Sequence, residues 1–126
     1  MRILITGSRT WSDEEVIRRA IETAVDDAFE ADSDMAIENV VIVHGACPRG
    51  ADEIADHHAR REDYRVERHP ADWDAHGKRA GLIRNSEMAK AGADVCLAFC
   101  KDNSRGTEHM IAAARRAGIR VREYCA

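Results

Sequence analysis

The residues best suited to bind an anion fall into short segments that combine glycine with hydroxyl or cationic side chains. The first segment is Gly7-Ser8-Arg9 and the last is Ser104-Arg105-Gly106-Thr107. Glycine lets a backbone approach a phosphate closely, while main-chain N–H groups and hydroxyls donate hydrogen bonds to its oxygens. Arginine can bind two of those oxygens at once. The pattern therefore predicts a phosphate site built from both segments.

Two further segments, residues 45–52 and 73–85, add candidate residues to this site. Trp73 could stack on a base or a ribose, and Asp52 could act as a general acid or base. The candidate ligand-binding residues are Gly7, Ser8, Arg9, Gly45, Arg49, Gly50, Asp52, Trp73, Lys78, Arg84, Asn85, Ser104, Arg105, Gly106 and Thr107.

Each candidate also has a purely structural explanation. Gly7 and Gly106 could be turn glycines, Trp73 could cover the core, and Asp52 could cap the helix that follows it. Asn85 could bind a neighbouring loop, and the charge of Lys78 could simply be solvated. A cation at a helix start opposes the helix dipole, however, which favours an anionic partner. The prediction rests on the joint pattern.

The segments can form one site only if the chain folds as a parallel sheet. Apolar runs without polar alternation are typical of strands buried on both faces, and an alternating run is typical of an edge strand. The predicted strands are the apolar run from Arg2 that stops at Gly7, then Asn39–His44, Tyr64–His69 (at an edge), Ala93–Phe99 and Ile119–Tyr124. Four helices are predicted. The first begins at a Ser12–Glu15 capping box and ends near Phe29, and the second follows Gly50. The third spans about Arg79–Lys90, and the fourth runs from Gly106 to a terminating Gly118.

Five strands alternating with four helices predict an α/β fold, a doubly wound three-layer sandwich formed by one domain over residues 1–126. The expected strand order is 3-2-1-4-5. In such a sheet, ligands bind beyond the carboxyl ends of the strands, where the strand order reverses. The loops after strands one and four meet at that point, and they carry the first and last anion-binding segments.

Charge and aromatic content argue against nucleic acid as a partner. The net charge is −4, and residues 11–38 carry ten acids against Arg18 and Arg19, a local balance of −8. An acidic outer helix does not suit a duplex, and two Trp and two Tyr offer little stacking surface for a single strand.

The remaining composition predicts a cytoplasmic protein. No run of apolar residues is long enough to span a membrane, and no basic and apolar leader opens the chain. The four cysteines contain no C-x-x-C pair and are expected to be reduced structural thiols. The six histidines are scattered, so no metal site and no cofactor are expected. The phosphate motifs G-x-x-x-x-G-K-[S/T] and G-x-G-x-x-G are absent, which argues against a P-loop ATPase and ordinary dinucleotide redox chemistry.

Four stretches of the chain resemble the SLOG superfamily, and most closely its YspA-like, cpYpsA-related branch. They are Gly7-Ser8-Arg9, His44-Gly45 through Arg49-Gly50-Ala51-Asp52, Trp73-x-x-x-Gly77-x-x-Ala80-Gly81-x-x-Arg84-Asn85-x-x-Met88, and Arg105-Gly106-Thr107. The resemblance implies a Rossmann-like fold and a nucleotide or nucleotide-derived ligand such as an ADP-ribose-like molecule.

The same superfamily includes the DNA-processing DprA proteins and the LOG phosphoribohydrolases. LOG enzymes bind phosphate with a P-G-G-x-G-T-x-x-E motif whose final Glu serves catalysis. Gly106 and Thr107 match that motif, whereas its two preceding glycines fall near Asn103 and Ser104 and its Glu falls on Met110. The resemblance therefore implies phosphate binding without the usual catalytic carboxylate.

Two functions follow. The first is a module that binds or senses a phosphorylated nucleoside derivative. The alternative is a hydrolase that cleaves an N-glycosidic bond, with Glu108, Asp52 or Asp72 as general acid or base. Relatives in the superfamily commonly pair, so a homo-oligomer formed through Leu82, Ile83 and Met88 of the third helix is also expected, unless those residues simply pack in the core.

Overall fold

Five parallel strands form one sheet. They are β1 (Arg2–Gly7), β2 (Val41–His44), β3 (Arg65–Arg68), β4 (Val95–Cys100) and β5 (Arg120–Cys125). In the computed structural model, which describes residues 1–126, their order is β3-β2-β1-β4-β5, with every neighbouring pair parallel. The predicted order is confirmed, and β1 is the central strand.

Four helices of eleven to eighteen residues connect the strands, as predicted. They are α1 (Glu14–Ala31), α2 (Ala51–Arg61), α4 (Ala80–Ala91) and α5 (Arg105–Arg116), and a single-turn helix α3 (Trp73–His76) precedes α4. None of the predicted helices includes α3. The turn forms because the Asp72 carboxylate accepts a hydrogen bond from the Ala75 N–H at 3.0 Å.

The sheet has one apolar core on each face. Successive residues of a strand point to opposite faces, so Ile3 and Ile5 pack with α1 and α2, whereas Leu4 packs with α4 and α5. This arrangement gives the predicted three layers. No helix is both long and apolar enough to cross a lipid bilayer.

Aromatic packing fixes the loop that follows β1. Phe99 lies beside Gly7 in the β1–β4 register. The Phe99 ring meets the buried Trp11 ring edge-on at a centroid distance of 5.4 Å and stacks on Tyr124 at 5.2 Å. Because Trp11 belongs to the β1–α1 loop, this contact holds that loop against the end of β4.

The start of α1 differs from the predicted capping box. Asp13, not Ser12, is the N-cap, and its carboxylate accepts the Val16 N–H at 3.3 Å. Glu15 does not reach back to the cap but pairs with Arg18 and Arg19. Asp13 takes the position because the buried Trp11 indole donates to the Asp13 carbonyl at 2.9 Å, which sets where the chain turns into the helix.

Candidate functional site

The loops after β1 and β4 enclose a cleft of about 360 Å³ at the carboxyl edge of the sheet. Ser8 and Thr107 both line it. The Ser8 N–H donates to the Phe99 carbonyl at 3.0 Å, and Thr10 Oγ1 donates to Asp102 Oδ2 at 2.8 Å. The first bond ties the β1–α1 loop to the end of β4 and the second joins the two loops, so the first and last anion-binding segments face each other.

The first turn of α5 forms one wall of the cleft. The Ser104 hydroxyl caps the helix by accepting from the Thr107 N–H at 3.4 Å and from the Thr107 hydroxyl at 3.0 Å. Gly106 has open space where a side chain would begin: apart from its chain neighbours and the backbone of its own helix, no protein atom lies within 4 Å of that point. The helix therefore presents an uncovered amino-terminal turn to the cleft, where its dipole is positive.

The first turn of α1 offers no comparable site. Asp13, Glu14 and Glu15 place their own carboxylates there. Although β1 ends at Gly7, α1 begins only at Glu14, after a loop held by Trp11. The positive helix end in this cleft thus belongs to α5.

Two of the candidate glycines are needed for close packing of the backbone. A β-carbon on Gly7 would lie 2.5 Å from the Ala51 β-carbon and 2.9 Å from the Phe99 carbonyl oxygen. Gly50 has a φ of +79° and lies directly against the main chain of Ser8 and Arg9. These glycines bring the β1–α1 loop onto the start of α2, and Gly7 also lines the cleft.

Arg84 and Asn85 connect two loops and the first turn of α5 at the cleft. Arg84 Nη1 donates to the carbonyls of Gly45 and His69, and Arg84 Nε donates to Asn85 Oδ1. Asn85 Nδ2 in turn donates to the Gly106 carbonyl at 3.2 Å. The Arg84 guanidinium occupies the space where a side chain on Gly45 would lie. This network ties α4 to α5 and to the ends of β2 and β3.

Asp52 is a buried carboxyl group on the cleft wall, in the first turn of α2. The Cys47 N–H donates to Asp52 Oδ2 at 3.2 Å. Burial raises the pKa of this carboxyl, and nearby His44, Cys47 and Arg84 only partly offset the effect. Asp52 is therefore suited to hold a proton near the cleft.

His44 has a fixed tautomer beside this cleft. The Ala46 N–H donates to His44 Nδ1 at 2.9 Å, so Nε2 carries the proton and donates to Asp56 Oδ2 at 2.6 Å. Burial opposes ionisation of Asp56, but hydrogen bonds from Arg68, His44 and Arg60 hold its pKa well below the usual range. This network braces the end of β2.

A second cleft of about 280 Å³ adjoins the first. The two share Arg9, Gly45, Cys47 and Arg84 in their walls. Trp73 lines only the second cleft and is 52% exposed, and Arg9 is exposed and forms no salt bridge. Trp73 therefore lies next to the main cleft.

Several candidate residues lie outside the main cleft. Arg49, Lys78 and Arg105 are exposed and line neither cleft. Glu108 is exposed and lines a neighbouring groove, beside Cys100 and Cys125. That groove shares Asp102, Ser104 and Thr107 with the main cleft, but Glu108 does not line the main cleft. Asp72 is an exposed residue that caps α3. Of the three candidate carboxylates, Asp52 alone lines the main cleft.

The sequence reading missed Thr6, Thr10, Cys47 and Asp102, which also line the cleft. A local signal existed for the last of these. Asp102 and Asn103 follow β4 with φ values of +58° and +51°, and Asp and Asn tolerate this conformation better than most residues. A polar Asp-Asn pair after a buried strand thus indicates a tight turn.

One group of metal-ligand type side chains lies away from both clefts. The ligand atoms of Glu22, His58 and Glu62 lie within 4.8 Å of one another. His58 Nε2 contacts Glu22 at 2.7 Å, and the Tyr64 hydroxyl also donates to the Glu22 carboxylate. Hydrogen bonds between α1 and the end of α2 account for this cluster.

Comparison with known proteins assigns the family. Residues 1–76 match the model of the YspA, cpYpsA-related SLOG family, YAcAr. The chain belongs to this family. The matched range of the YAcAr chain runs from β1 through Trp73 and includes the Gly45–Asp52 segment.

A second comparison covers nearly the whole YAcAr chain. The chain is 48% identical over 125 residues to the Gene 61 protein of Mycobacterium phage D29, and the match covers 95% of this chain and 93% of that protein. No solved structure matches the chain significantly.

Proposed function

We propose that this YAcAr protein binds a phosphorylated nucleoside derivative, such as an ADP-ribose-like molecule, in the cleft between the loops after β1 and β4. The observation that carries the proposal is the uncovered first turn of α5, where Gly106 leaves open space. A phosphate oxygen there would accept hydrogen bonds from main-chain N–H groups at the positive helix end. Ser8 and Thr107 line the same cleft, where the Ser8 N–H donates to the Phe99 carbonyl and the Thr107 N–H to the Ser104 hydroxyl.

Charges around the cleft support an anionic ligand. Arg9 has no salt-bridge partner, and Arg84 Nη2 makes no hydrogen bond within the protein. Of the two carboxyls in the cleft, Asp102 accepts a hydrogen bond from Thr10, and burial favours the protonated form of Asp52. Repulsion of a phosphate by Asp52 is therefore reduced.

Met110 stands where LOG enzymes have their catalytic glutamate, which favours binding of the ligand without its hydrolysis. Met110 is fully buried in the core beneath α4 and α5, where it packs with Leu4 and Met88. Glu108 lies outside the cleft. A role in sensing or presenting the nucleotide therefore has more support than a LOG-type reaction.

Calorimetric titration with AMP, ADP-ribose and NAD tests the proposal. At 100 times its dissociation constant, a ligand should stabilise the protein by about 2.7 kcal/mol. Gly106→Val should fill the open space and weaken binding at least about 10-fold without unfolding the protein. Ala112→Val, on the exposed face of the same helix, is the matched control and should bind normally. No binding by any of these nucleotides would contradict the proposal.

The alternative function is hydrolysis of an N-glycosidic bond, and the position of Asp52 favours it. A protonated carboxyl in the cleft could donate its proton to the departing base as the glycosidic bond breaks; water then attacks the anomeric carbon, and the Asp52 carboxylate takes up the proton that the water releases. Incubation with nucleoside monophosphates, followed by chromatography, would detect the free base and ribose phosphate. Asp52→Asn should abolish this activity and Glu108→Gln should not. Absence of free base with a nucleotide that binds would exclude hydrolysis of that nucleotide.

A further inference from the structure

The second cleft extends the main cleft toward an exposed aromatic side chain. Its walls are two proline-bearing segments, with Pro48 on the β2–α2 loop and Pro70 after β3, together with Trp73. These groups are apolar or aromatic, whereas the main cleft is lined by hydroxyls, main-chain amides and charged groups. The two clefts therefore suit two chemically different parts of one ligand.

The position of the Trp73 indole is set by the protein. Its far ring edge lies beside Gly81, where Cη2 would be 3.8 Å from an added β-carbon. The short α3 is capped by Asp72, and Gly77 ends it with a φ of +56°. The indole is thus held near α4, yet 52% of the residue remains exposed. A large aromatic surface left open beside a polar cleft is suited to stacking.

Two cations lie where the clefts join. Arg9 and Arg84 line both. Arg84 is held by the Gly45 and His69 carbonyls, so its guanidinium lies at the junction at little further entropic cost. A phosphate bound between these arginines would have the α5 amino terminus on one side and the aromatic slot on the other.

We propose that the slot formed by Pro48, Pro70 and Trp73 is a nucleobase subsite, in which the base stacks on the Trp73 indole. Its phosphate then lies between Arg9, Arg84 and the first turn of α5. This inference rests on the proposed function and assigns the base of that ligand to one place, the slot beside Trp73. Stacking contributes affinity with little dependence on which base is present, because every base has a π-face.

Matched ligands with and without a base test the subsite. AMP and ADP-ribose carry the base, whereas ribose 5-phosphate offers the phosphate and sugar alone. Wild-type protein should bind AMP or ADP-ribose at least about 10-fold more tightly than ribose 5-phosphate. Trp73→Ala should remove that advantage and leave ribose 5-phosphate binding unchanged, while Trp73→Phe should keep part of it. Ile37→Ala, at an exposed apolar residue outside both clefts, should change neither affinity.

Intrinsic fluorescence gives an independent readout. The protein has two tryptophans, and Trp11 is 4% exposed while Trp73 is 52% exposed. Base-bearing ligands should quench the emission of the wild type but not that of Trp73→Phe, and ribose 5-phosphate should quench neither.

The outcomes separate the two proposals. Equal affinity for AMP, ADP-ribose and ribose 5-phosphate would overturn the base subsite and leave the phosphate cleft standing. An equal loss of binding for all three ligands in Trp73→Ala would also overturn it, since the indole would then only support the loop. No binding of any of them to the wild type would overturn the proposed function and the subsite together.

Discussion

Thr10 Oγ1 donates a hydrogen bond to Asp102 Oδ2 at 2.8 Å, which joins the loop after β1 to the loop after β4. The same hydroxyl lies 2.8 Å from Ser8 Oγ, and the Thr10 N–H donates to Ser8 Oγ at 3.1 Å. Ser8 is thereby positioned opposite the start of α5. The proposed phosphate site depends on these two loops staying together.

Removal of the Thr10 hydroxyl should loosen the cleft. We expect Thr10→Val to weaken nucleotide binding by up to about 10-fold, because the ligand must then bring the two loops together, with only a small loss of melting temperature because the pair is exposed. Thr10→Ser retains the donor and should bind normally. Calorimetric titration of the three proteins measures the effect, and unchanged affinity in Thr10→Val would contradict the role given to this bond.

Two glycines of the site should respond oppositely to alanine. Gly50→Ala should destabilise the protein by about 2 kcal/mol or more, because φ is positive and the Ser8 main chain occupies the space. Gly106→Ala should leave the free energy of unfolding unchanged or raise it by up to about 1 kcal/mol, since alanine favours the helix. Urea denaturation of both variants checks this. Similar losses in both would show that Gly106 is also packed against protein.

Asp52 should make folding less favourable as the pH rises. Burial raises its folded-state pKa above the ordinary value of 3.8. At pH values below the pKa of the unfolded state, Asp52 is protonated in both states and does not affect the free energy of unfolding. As the pH rises toward and through the folded-state pKa, Asp52 lowers the free energy of unfolding. The free energy of unfolding of Asp52→Asn should therefore increase relative to that of the wild type as the pH rises, and the difference should persist at neutral pH. Urea denaturation of both proteins from about pH 3 to 7 measures the difference. A relative loss by the variant would contradict the assignment.

Glu67 should have the opposite pH dependence. Hydrogen bonds from Arg2 (2.9 and 2.8 Å) and from His69 lower the pKa of Glu67 to about 2, from 4.5. Its stabilisation is present above pH 4.5 and is lost as the pH falls toward about 2. Because Glu67 is partly exposed, Glu67→Gln should cost only about 1 kcal/mol at neutral pH. Glu123→Gln, which removes the more exposed pair with Arg115, should cost less. A loss in Glu67→Gln that persisted unchanged at low pH would contradict this account.

The outer face of α4 is the proposed contact between two copies of the chain. Leu82 is 46% exposed there, and Ile83 lies beside it in a shallow groove. Met88, which the sequence reading grouped with them, is buried in the core. We expect light scattering to detect a dimer that Leu82→Glu converts to monomer, while Ala112→Glu on α5 does not. A monomeric wild type would contradict the expectation.

The strand order could be predicted because each buried strand is a continuous apolar run. Local sequence was also sufficient for the end of α5, where Gly118 has a φ of +80°. It was not sufficient for α3, whose four residues are exposed and show no periodicity. The cap of α1 depends on the burial of Trp11 against Phe99, a tertiary contact that no local pattern encodes.

The same distinction applies to the site. Glycine-rich loops at one sheet edge could be identified because the topology follows from the strands. The partners of Arg84 and Asn85 are main-chain carbonyls of Gly45, His69 and Gly106 on other elements, so their bracing role follows only from the tertiary fold. The close approach of Gly50 to Ser8 likewise joins two loops that are distant in sequence.

Amide chemical shifts give the most direct test of the proposed cleft. ADP-ribose would be titrated into the ¹⁵N-labelled protein. The account predicts saturable shifts of the Ser8, Gly106 and Thr107 amides, and their loss in Gly106→Val. No shifts at these amides, or shifts confined to the opposite groove around Asp34 and Asn39, would contradict it.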